Sequence, residues 1–340
     1  MALGRSPSRQ HEQTRSKDPR CRRDQTPGRV ETEMAGHSIY IDCAPNMRDL
    51  METYPSELTD GVDLHMGDPT QSELADIVKG YKGILNGHTV MPRALLEANA
   101  ERMKSIIFLG TGVASYVDPQ DGEDFGIAVR YIAGYGDRSI AEHAFALLMS
   151  AARGLSQMDR EMRSGTWSAF EGVELRGKTL GIVGTGAVGA ELCRIAAGFG
   201  MNCIAWNRSG VDSSLPCKEV PLEQVFRDAD AVSLHIAFSD TTNKMIGAPF
   251  LQSMKPGAIL VNTARGGVVD DAALVEALKN GPLGHAALDV YTVEPLESES
   301  PLRSMQNVTL SAHAAWKTPD AADRLMRRGL EILKDDIASL

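Results

Sequence analysis

The sequence predicts an α/β protein with two parallel β-sheets, and two observations support that prediction. From residue 38 onward, short β-branched runs alternate with amphipathic stretches, which is the pattern of parallel strands joined by helices. The alternation occurs in two separate series, and a chain of 340 residues is longer than one hydrophobic core usually serves. We therefore expect two α/β domains, each with a parallel sheet covered by helices on both faces.

The first series of elements lies in the N-terminal part of the chain. Strands are predicted at residues 38–43, 62–66, 83–85, 105–109 and 127–132. Amphipathic helices are predicted near residues 46–54, 71–79 and 92–103. Because helical stretches separate several of these strands, the strands are expected to run parallel.

A long helix is predicted to join the two series. Ser139 and Glu142 have the S-x-x-E spacing of a capping box, and a strongly apolar run follows them. We therefore expect this helix to begin at Ser139 and to cross between the two domains.

The second series is more regular than the first. Its strands are predicted at residues 179–183, 202–206, 231–236, 258–263, 285–291 and 308–312, with helices that start near residues 186, 222, 248, 270 and 301. The last helix is predicted to open at Thr318-Pro319, a capping residue followed by proline at the first helical position. Its apolar side chains fall on one face, namely Leu325, Met326, Leu330, Leu333 and Ile337.

Composition argues against several classes of partner. The formal net charge is −10, whereas a nucleic-acid partner needs a basic face on the protein. No apolar run approaches the roughly 20 residues that a membrane span needs. The cysteines form no CxxC pair and no Cys/His cluster, so no metal site is predicted, and scattered thiols favour a reducing compartment.

Residues 1–36 are predicted to form a disordered tail. They are rich in Arg, Ser, Pro, Gln and Asp and show almost no apolar periodicity. A cleaner start, Met34-Ala-Gly-His-Ser, comes just before the first strand, so we expect the tail to be a vector-like leader or the result of a mis-assigned start.

A glycine-rich turn opens the second series and predicts a dinucleotide site. The strand at 179–183 runs directly into the pattern GxGxxG, which begins a helix. Gly184 is expected to make the tight turn, Gly186 to let the backbone approach a pyrophosphate, and Gly189 to let helix and strand pack closely. The helix N-terminus would offer free N–H donors to the phosphates.

The segment after the next strand bears on the choice between NAD and NADP. NAD-specific sites place Asp or Glu there to bind the ribose 2′-hydroxyl, but this chain has Asn207-Arg208-Ser209. Arg208 and Ser209 would suit a 2′-phosphate, so NADP(H) is the predicted preference. The alternative is that Arg208 is a solvated surface charge and that NAD(H) binds through Asn207.

Three residues at strand ends could supply the groups that reduction of a 2-keto acid needs beside the nicotinamide, namely a cation, a proton donor and a carboxylate. Arg265 follows the strand at 258–263, at the end that faces the ligand crevice. Its planar guanidinium can bind a carboxylate through two hydrogen bonds. His313 ends another strand and can give and take a proton near neutral pH. Glu294 follows a third strand, and its carboxylate could hold the ring of His313 and favour the protonated form. The alternatives are a structural ion pair for Arg265 and a structural role for His313.

With these residues in place, the sequence resembles the D-isomer-specific 2-hydroxyacid dehydrogenase family from about residue 39 to the C-terminus. The most specific segments are GIVGTGAVG (181–189), VNTARGGVVD (261–270), ALDVYTVEP (287–295) and LSAH (310–313). The resemblance implies reduction of small 2-keto acids, such as glyoxylate or hydroxypyruvate, to D-2-hydroxy acids. It also implies a cytoplasmic homodimer and a fold of two Rossmann- or flavodoxin-like domains separated by a cleft. These would be a substrate domain at 37–136 completed by 316–340 and a dinucleotide-binding domain at 137–315.

The resemblance assigns further residues to the site. Arg265, Glu294 and His313 would form the catalytic set. The cofactor would be held by Ala187, Val188 and Thr242 near the pyrophosphate, Ile236 and Ala237 beside the adenine, and Asp289 and the backbone of Thr263 at the nicotinamide carboxamide. The substrate would meet backbone N–H groups of Asn86-Gly87-His88 and Gly110-Thr111-Gly112, with Trp316 on the pocket wall.

Some positions depart from the family pattern. Ala237 and Ala312 stand where the family often has proline, and the turn after Gly112 lacks the family's Asp-Asn pair. Glu294 argues against formate as substrate, because formate dehydrogenases of the superfamily lack that glutamate. A second function remains open: a dinucleotide-binding, corepressor-like scaffold with little catalysis would keep the same residues.

Overall fold

The computed structural model describes residues 38–339, so the tail predicted at 1–36 lies outside the described residues. The strands are β1 (Ser38–Cys43), β2 (Val62–Met66), β3 (Gly83–Asn86), β4 (Ser105–Phe108), β5 (Ala128–Tyr131), β6 (Thr179–Val183), β7 (Asn202–Trp206), β8 (Lys218–Glu219), β9 (Ala231–Leu234), β10 (Ala258–Asn262), β11 (Leu283–Leu288) and β12 (Val308–Leu310). The α-helices are α1 (Pro45–Met51), α2 (Ser56–Thr59), α3 (Gln71–Ile77), α4 (Arg93–Asn99), α5 (Pro119–Phe125), α6 (Asp137–Arg153), α7 (Leu155–Arg163), α8 (Ala187–Phe199), α9 (Leu222–Asp228), α10 (Ala248–Leu251), α11 (Asp271–Lys279) and α12 (Pro319–Ala338).

Two parallel sheets organise these elements, as the sequence predicted. The first sheet has the strand order β2-β1-β3-β4-β5 and the second has the order β12-β11-β10-β9-β6-β7-β8. The first order is that of flavodoxin-like folds, and the second is the Rossmann order with one further strand at the β12 edge. In the second sheet the strand order reverses between β6 and β9, and a ligand is expected to bind in the crevice at such a reversal.

Both faces of the first sheet are covered, because successive side chains of a strand point to opposite faces. Ile39 and Ile41 pack into one core, whereas Tyr40 packs into the other. The second core includes Leu330 and Leu333 of α12, so the C-terminal helix covers the sheet that the N-terminal half builds. All described residues belong to one compact unit, Gly36–Leu340, and the domain boundaries drawn from the sequence stay a prediction.

Some predicted local features were wrong. The long helix α6 begins at Asp137 after Gly136, and Ser139 does not cap it. Instead, the Ser139 hydroxyl is hydrogen-bonded to the Thr318 hydroxyl at 2.9 Å, which ties the first turn of α6 to the start of α12. The helix expected near residue 301 is only a short 3-10 turn, Pro301–Arg303.

The start of α12 agrees with the prediction. The Thr318 side chain accepts a hydrogen bond from the backbone N–H of Ala321, and proline occupies the first turn. Across residues 38–339, no helix has both the length and the apolar character that crossing a membrane requires.

Candidate active site

The three glycines of the β6–α8 turn have three different surroundings. Gly184 has φ +95°, and a Cβ there would lie 2.6 Å from the carbonyl oxygen of His235. A Cβ on Gly189 would overlap the carbonyl oxygen of Gly184, so the helix approaches the turn as closely as the chain allows. A Cβ on Gly186 would meet nothing within 4 Å. This open space lies at the N-terminus of α8, where unpaired N–H groups can receive a pyrophosphate.

Substitution of these glycines separates binding from folding. Gly186→Val is expected to leave the thermal midpoint of the cofactor-free protein nearly unchanged. It should nevertheless weaken NADPH binding at least about tenfold, because the new side chain occupies the pyrophosphate space. Gly189→Ala is expected to destabilise the fold by about 1–3 kcal/mol or more, because its methyl group has no room.

A matched control lies in the same helix. A Cβ on Gly198 meets nothing within 4 Å, so Gly198→Ala should leave both stability and cofactor binding intact or slightly improve stability. Thermal unfolding without cofactor and fluorescence titration with NADPH measure the two properties. Unchanged NADPH affinity in Gly186→Val would contradict the assignment of this turn to the phosphates.

The residues after β7 lie next to the glycine turn. Asn207 accepts a hydrogen bond from the backbone N–H of Thr185 at 3.2 Å and donates to the Ser209 hydroxyl at 2.9 Å. Arg208 is exposed and makes no hydrogen bond or ion pair with any described residue. The Arg208 guanidinium is therefore unpaired among the described residues, beside the expected ribose position. Asn207 stabilises the local turn.

The segment after β9 packs against the glycine turn. Ile236 is close enough to Gly184 that a Cβ there would lie 2.9 Å from the Ile236 side chain. The Thr242 hydroxyl donates to the carbonyl oxygen of Ala237 at 2.7 Å and accepts from the Ser239 N–H at 2.7 Å. Ile236 thus lies beside the glycine turn and Thr242 shapes the loop that follows, whereas contact of Ile236 and Ala237 with adenine stays a prediction.

An unpaired polar atom follows β10. The Thr263 hydroxyl is buried, and its oxygen has no hydrogen-bond partner among residues 38–339. Burying a hydroxyl without a partner is costly, so this atom indicates a ligand contact. Together with the open space at Gly186, it indicates that the residues present fit a dinucleotide, and the position of the nicotinamide near Thr263 stays a prediction.

A buried carboxylate fixes the loop that carries His313. Asp289 accepts hydrogen bonds from the Ser311 hydroxyl at 2.6 Å, the Ala314 N–H at 2.9 Å and the Ala315 N–H at 2.9 Å. Burial alone would raise the pKa of Asp289, but hydrogen bonds from these donors and from His143 lower it to about 2. Asp289 is therefore ionised and directed into this loop. The nicotinamide carboxamide, if it binds Asp289 as predicted, would share the carboxylate oxygens of Asp289 with these donors.

His143 of α6 completes this network and was not predicted from the sequence. Its Nε2 lies 3.1 Å from the Ser311 oxygen and 3.5 Å from Oδ1 of Asp289. The only sequence signal was a polar residue on the mostly apolar helix α6.

His313 and Glu294 are directly paired. Nδ1 of His313 lies 2.6 Å from Oε2 of Glu294, and Oε1 of Glu294 accepts from the Tyr291 N–H at 2.9 Å. Burial acts to raise the pKa of Glu294, but the hydrogen bonds from His313 and Tyr291 and the charge of Arg265 outweigh it and lower that pKa. The pairing leaves Nε2 as the ring nitrogen that can exchange a proton with a substrate.

His313 itself lies at a strained turn. Its φ is +48°, a left-handed conformation that residues other than glycine rarely adopt. The backbone N–H of His313 donates to the carbonyl oxygen of Asp289 at 2.8 Å. The turn thus aims the ring back toward Glu294 rather than along the direction of β12.

Arg265 reaches from the second sheet toward the first. Its Nη1 donates to the carbonyl oxygen of Ala264 at 2.7 Å, and a Cβ on Gly112 would lie 3.2 Å from Nη2. A Cβ on Gly266 would overlap the backbone of Tyr291, so the segment carrying Arg265 packs directly against the one carrying Glu294. These contacts bring the three predicted catalytic side chains to one edge of the second sheet.

The loop after β3 differs from the expectation. The Gly87 and His88 N–H groups, which were expected to hold the substrate, donate to the carboxylate of Asp42 at 2.8 and 2.7 Å. Asn86 is also used locally, because its side chain donates to the carbonyl oxygen of Thr89 at 2.8 Å. Asp42 is buried, so its charge needs these donors. Sequence reasoning missed it, although a carboxylate inside a buried strand was a usable signal.

The turn after β4 retains free donors. The Gly110 N–H donates to the carbonyl oxygen of Phe108 at 2.9 Å. The N–H groups of Thr111 and Gly112 donate to no described residue, and Gly112 lies beside the guanidinium of Arg265. An anion at this point would meet a cation from one sheet and backbone donors from the other.

Trp316 stands at the border of this edge. Its ring meets the ring of Tyr135 edge to face, with centroids 5.9 Å apart. As for metals, no group of three or more His, Cys, Asp or Glu side chains that could hold an ion stands together among residues 38–339.

Comparison with known proteins gives consistent matches. A family model described as D-isomer specific 2-hydroxyacid dehydrogenase, NAD binding domain, matches residues 145–315. A glyoxylate reductase of Korarchaeum cryptofilum is 40% identical over 218 residues, or 62% of this chain and 66% of that protein. A hydroxypyruvate reductase of Thermotoga maritima is 34% identical over 255 residues, or 74% of this chain and 82% of that protein. The structure of a glyoxylate reductase from Paecilomyes thermophila has a TM-score of 0.78 at 27% identity and covers 89% of this chain and 95% of that one.

Proposed function

The chain belongs to the D-isomer-specific 2-hydroxyacid dehydrogenase family, and we propose that it reduces 2-keto acids to D-2-hydroxy acids with NADPH. One observation carries the proposal: Arg265, Glu294 and His313 come from three different strand ends and meet at one edge of the second sheet. Thr263 and the glycine turn, which fit a dinucleotide, lie at the same edge.

The side chains divide the reaction between them. Arg265 binds the substrate carboxylate, together with the N–H groups of Thr111 and Gly112, and polarises the ketone. When bound, the reduced nicotinamide supplies a hydride to the carbonyl carbon. Nε2 of His313 donates a proton to the carbonyl oxygen, which yields the alcohol, and Glu294 holds the ring by Nδ1 in that orientation.

The direct test is a panel of keto acids assayed with both reduced cofactors. Glyoxylate, hydroxypyruvate, pyruvate and phenylpyruvate are offered with NADPH and NADH. The configuration of the product is determined for the last three, because glyoxylate gives achiral glycolate. We expect turnover of at least one keto acid and a D-configured product. If no keto acid causes oxidation of either cofactor, the proposal fails and a corepressor-like binding role is favoured.

The preference for NADPH rests on Arg208 and Ser209. Neither residue is a carboxylate that would repel a 2′-phosphate, and the Arg208 guanidinium has no described partner. We expect kcat/KM to be at least about tenfold higher with NADPH than with NADH, since a charge-assisted pair contributes about 1.5–3 kcal/mol. A preference for NADH would contradict this part of the proposal.

We further propose a cytoplasmic homodimer. The cysteines of the described residues are free, in keeping with a reducing compartment. Large apolar side chains are exposed on α7 and the segment that follows it, namely Leu155, Met162, Trp167, Phe170 and Val173. Trp167 is 88% exposed in the single chain. Several large apolar side chains exposed close together are typical of a surface that a second subunit covers. Light scattering coupled to gel filtration should give twice the chain mass.

Replacing Glu294 by glutamine is expected to move the alkaline limb of the kcat/KM profile for reduction to lower pH. Reduction uses the proton of His313, and the negative charge of Glu294 stabilises the protonated ring. The lowered pKa of Glu294 keeps it ionised at neutral pH, whereas glutamine carries no charge. A shift of about one pH unit corresponds to about 1.4 kcal/mol. Glu297→Gln, three residues on, should leave the profile unchanged, and an unshifted limb in Glu294→Gln would contradict the pairing.

A further inference from the structure

A cavity of about 620 Å³ opens at the C-terminal edge of the first sheet. Its floor is formed by Tyr40, Met47, Leu109 and Leu325, all of which are buried. Leu50 and Trp316 form part of its wall. The side chains come from β1, α1, α12 and the end of β4, so the cavity is built by the elements that frame the first sheet.

The cavity borders the proposed catalytic edge. Trp316 lines it and follows His313 by three residues on the same loop. The Trp316 ring contacts Tyr135, and the charge of Arg265 acts on the Tyr135 hydroxyl. A keto acid whose carboxylate is held by Arg265 can therefore direct its side chain past Trp316 into this space.

Apolar side chains make up most of the lining. The polar members are Asp42, Asn46, His88, Lys317 and Thr318. Nε2 of His88 lies 2.7 Å from Asp68, the Thr318 hydroxyl is hydrogen-bonded to Ser139, and Asn46 is exposed. Asp42 lines the cavity, but its carboxylate already accepts hydrogen bonds from two backbone N–H groups and from the Thr89 hydroxyl at 2.8 Å. Lys317 is exposed at the rim, with its ammonium 6.0 Å from the centre of the Trp316 ring. An apolar group fits such a cavity better than a charged or hydroxylated one, because water leaves apolar surface and no polar group loses a partner.

We propose that this cavity receives the side chain of the substrate, and that the substrates are 2-keto acids with an aromatic or branched aliphatic side chain. This inference rests on the proposed function and narrows it. Glyoxylate has no side chain, and hydroxypyruvate has only a hydroxymethyl group, so both leave the cavity unfilled. The small substrates expected from the sequence are therefore not the ones that the cavity fits.

The first test compares substrates with the full chain and NADPH. We expect kcat/KM for phenylpyruvate and 4-methyl-2-oxopentanoate to exceed that for glyoxylate and pyruvate at least about tenfold, since even one methylene in a pocket is worth about 10–200-fold. Higher kcat/KM for glyoxylate, or for 3-phosphohydroxypyruvate, would overturn the inference. Turnover of glyoxylate alone would leave the proposed function intact, whereas no turnover of any keto acid would refute the proposed function itself.

The second test fills the cavity. Ala322 of α12 lines it and is partly exposed, so Ala322→Phe adds a ring to the cavity at little cost to the fold. The ratio of kcat/KM for phenylpyruvate to that for glyoxylate should fall at least about tenfold. Ala338→Phe makes the same change at the far, exposed end of the same helix and should leave the ratio unchanged.

Folding is checked by the thermal midpoint and by NADPH titration, and Leu50→Phe of the cavity wall provides an independent variant. Equal losses for both substrates, or an unchanged ratio in both Ala322→Phe and Leu50→Phe, would overturn the inference. A lower ratio in both variants, with normal NADPH binding, would support it.

Discussion

His313→Asn is expected to lower kcat for keto-acid reduction by about 10²–10⁴-fold, the usual contribution of a positioned proton donor. The Nδ1 atom of His313 is held 2.6 Å from Glu294, so only Nε2 remains to deliver the proton. Asparagine tolerates the left-handed φ of +48° better than any other residue except glycine, so the turn should persist. The variant therefore removes the proton donor and keeps the loop.

The dissociation constant of NADPH should change less than about twofold in this variant, because cofactor binding relies on other segments. Steady-state kinetics and fluorescence titration measure the two quantities. His65→Asn is a suitable control, since His65 lies on the edge strand β2, where its Nδ1 is 3.1 Å from the carbonyl oxygen of Ile41. Retention of more than a tenth of the original kcat in His313→Asn would rule out His313 as the proton donor.

Arg265→Gln is expected to lower kcat/KM by roughly 30-fold to several thousand-fold, since removing one partner of a desolvated charge pair costs about 2–5 kcal/mol. The guanidinium is the cation beside Gly112, and its loss would leave the substrate carboxylate without a counter-charge. Arg265→Lys keeps the charge but not the fork, so it should recover only part of the loss.

Exposed Arg194 of α8 provides the control for this substitution. Its ion pair with Glu191, at 3.4 Å, involves none of the proposed catalytic residues, and exposed pairs contribute about 0–1 kcal/mol. Arg194→Gln should therefore leave kcat/KM within about twofold. If Arg265→Lys were as active as the parent enzyme, bidentate binding of the carboxylate by Arg265 would be excluded.

The sequence alone determined the fold class, the positions of most strands and the structural roles of two glycines. These features are local, because strand and helix periodicity and the backbone demands of a turn are written in consecutive residues. Gly184 and Gly189 show this directly: a left-handed φ and a contact without room for a methyl group both require glycine. The expectation that Arg265, Glu294 and His313 lie at one edge of the sheet followed from the rule that parallel strands end at the same edge.

Only the tertiary structure decided which partners the polar groups have. Asp42 takes the N–H groups of Gly87 and His88, which lie 45 and 46 residues further along the chain, and Ser139 bonds to Thr318 rather than capping its own helix. The cavity beside Trp316 likewise needs side chains from β1, from α1, from the end of β4 and from α12. The physical reason is that hydrogen bonds and cavities depend on distances through space, which no local pattern encodes.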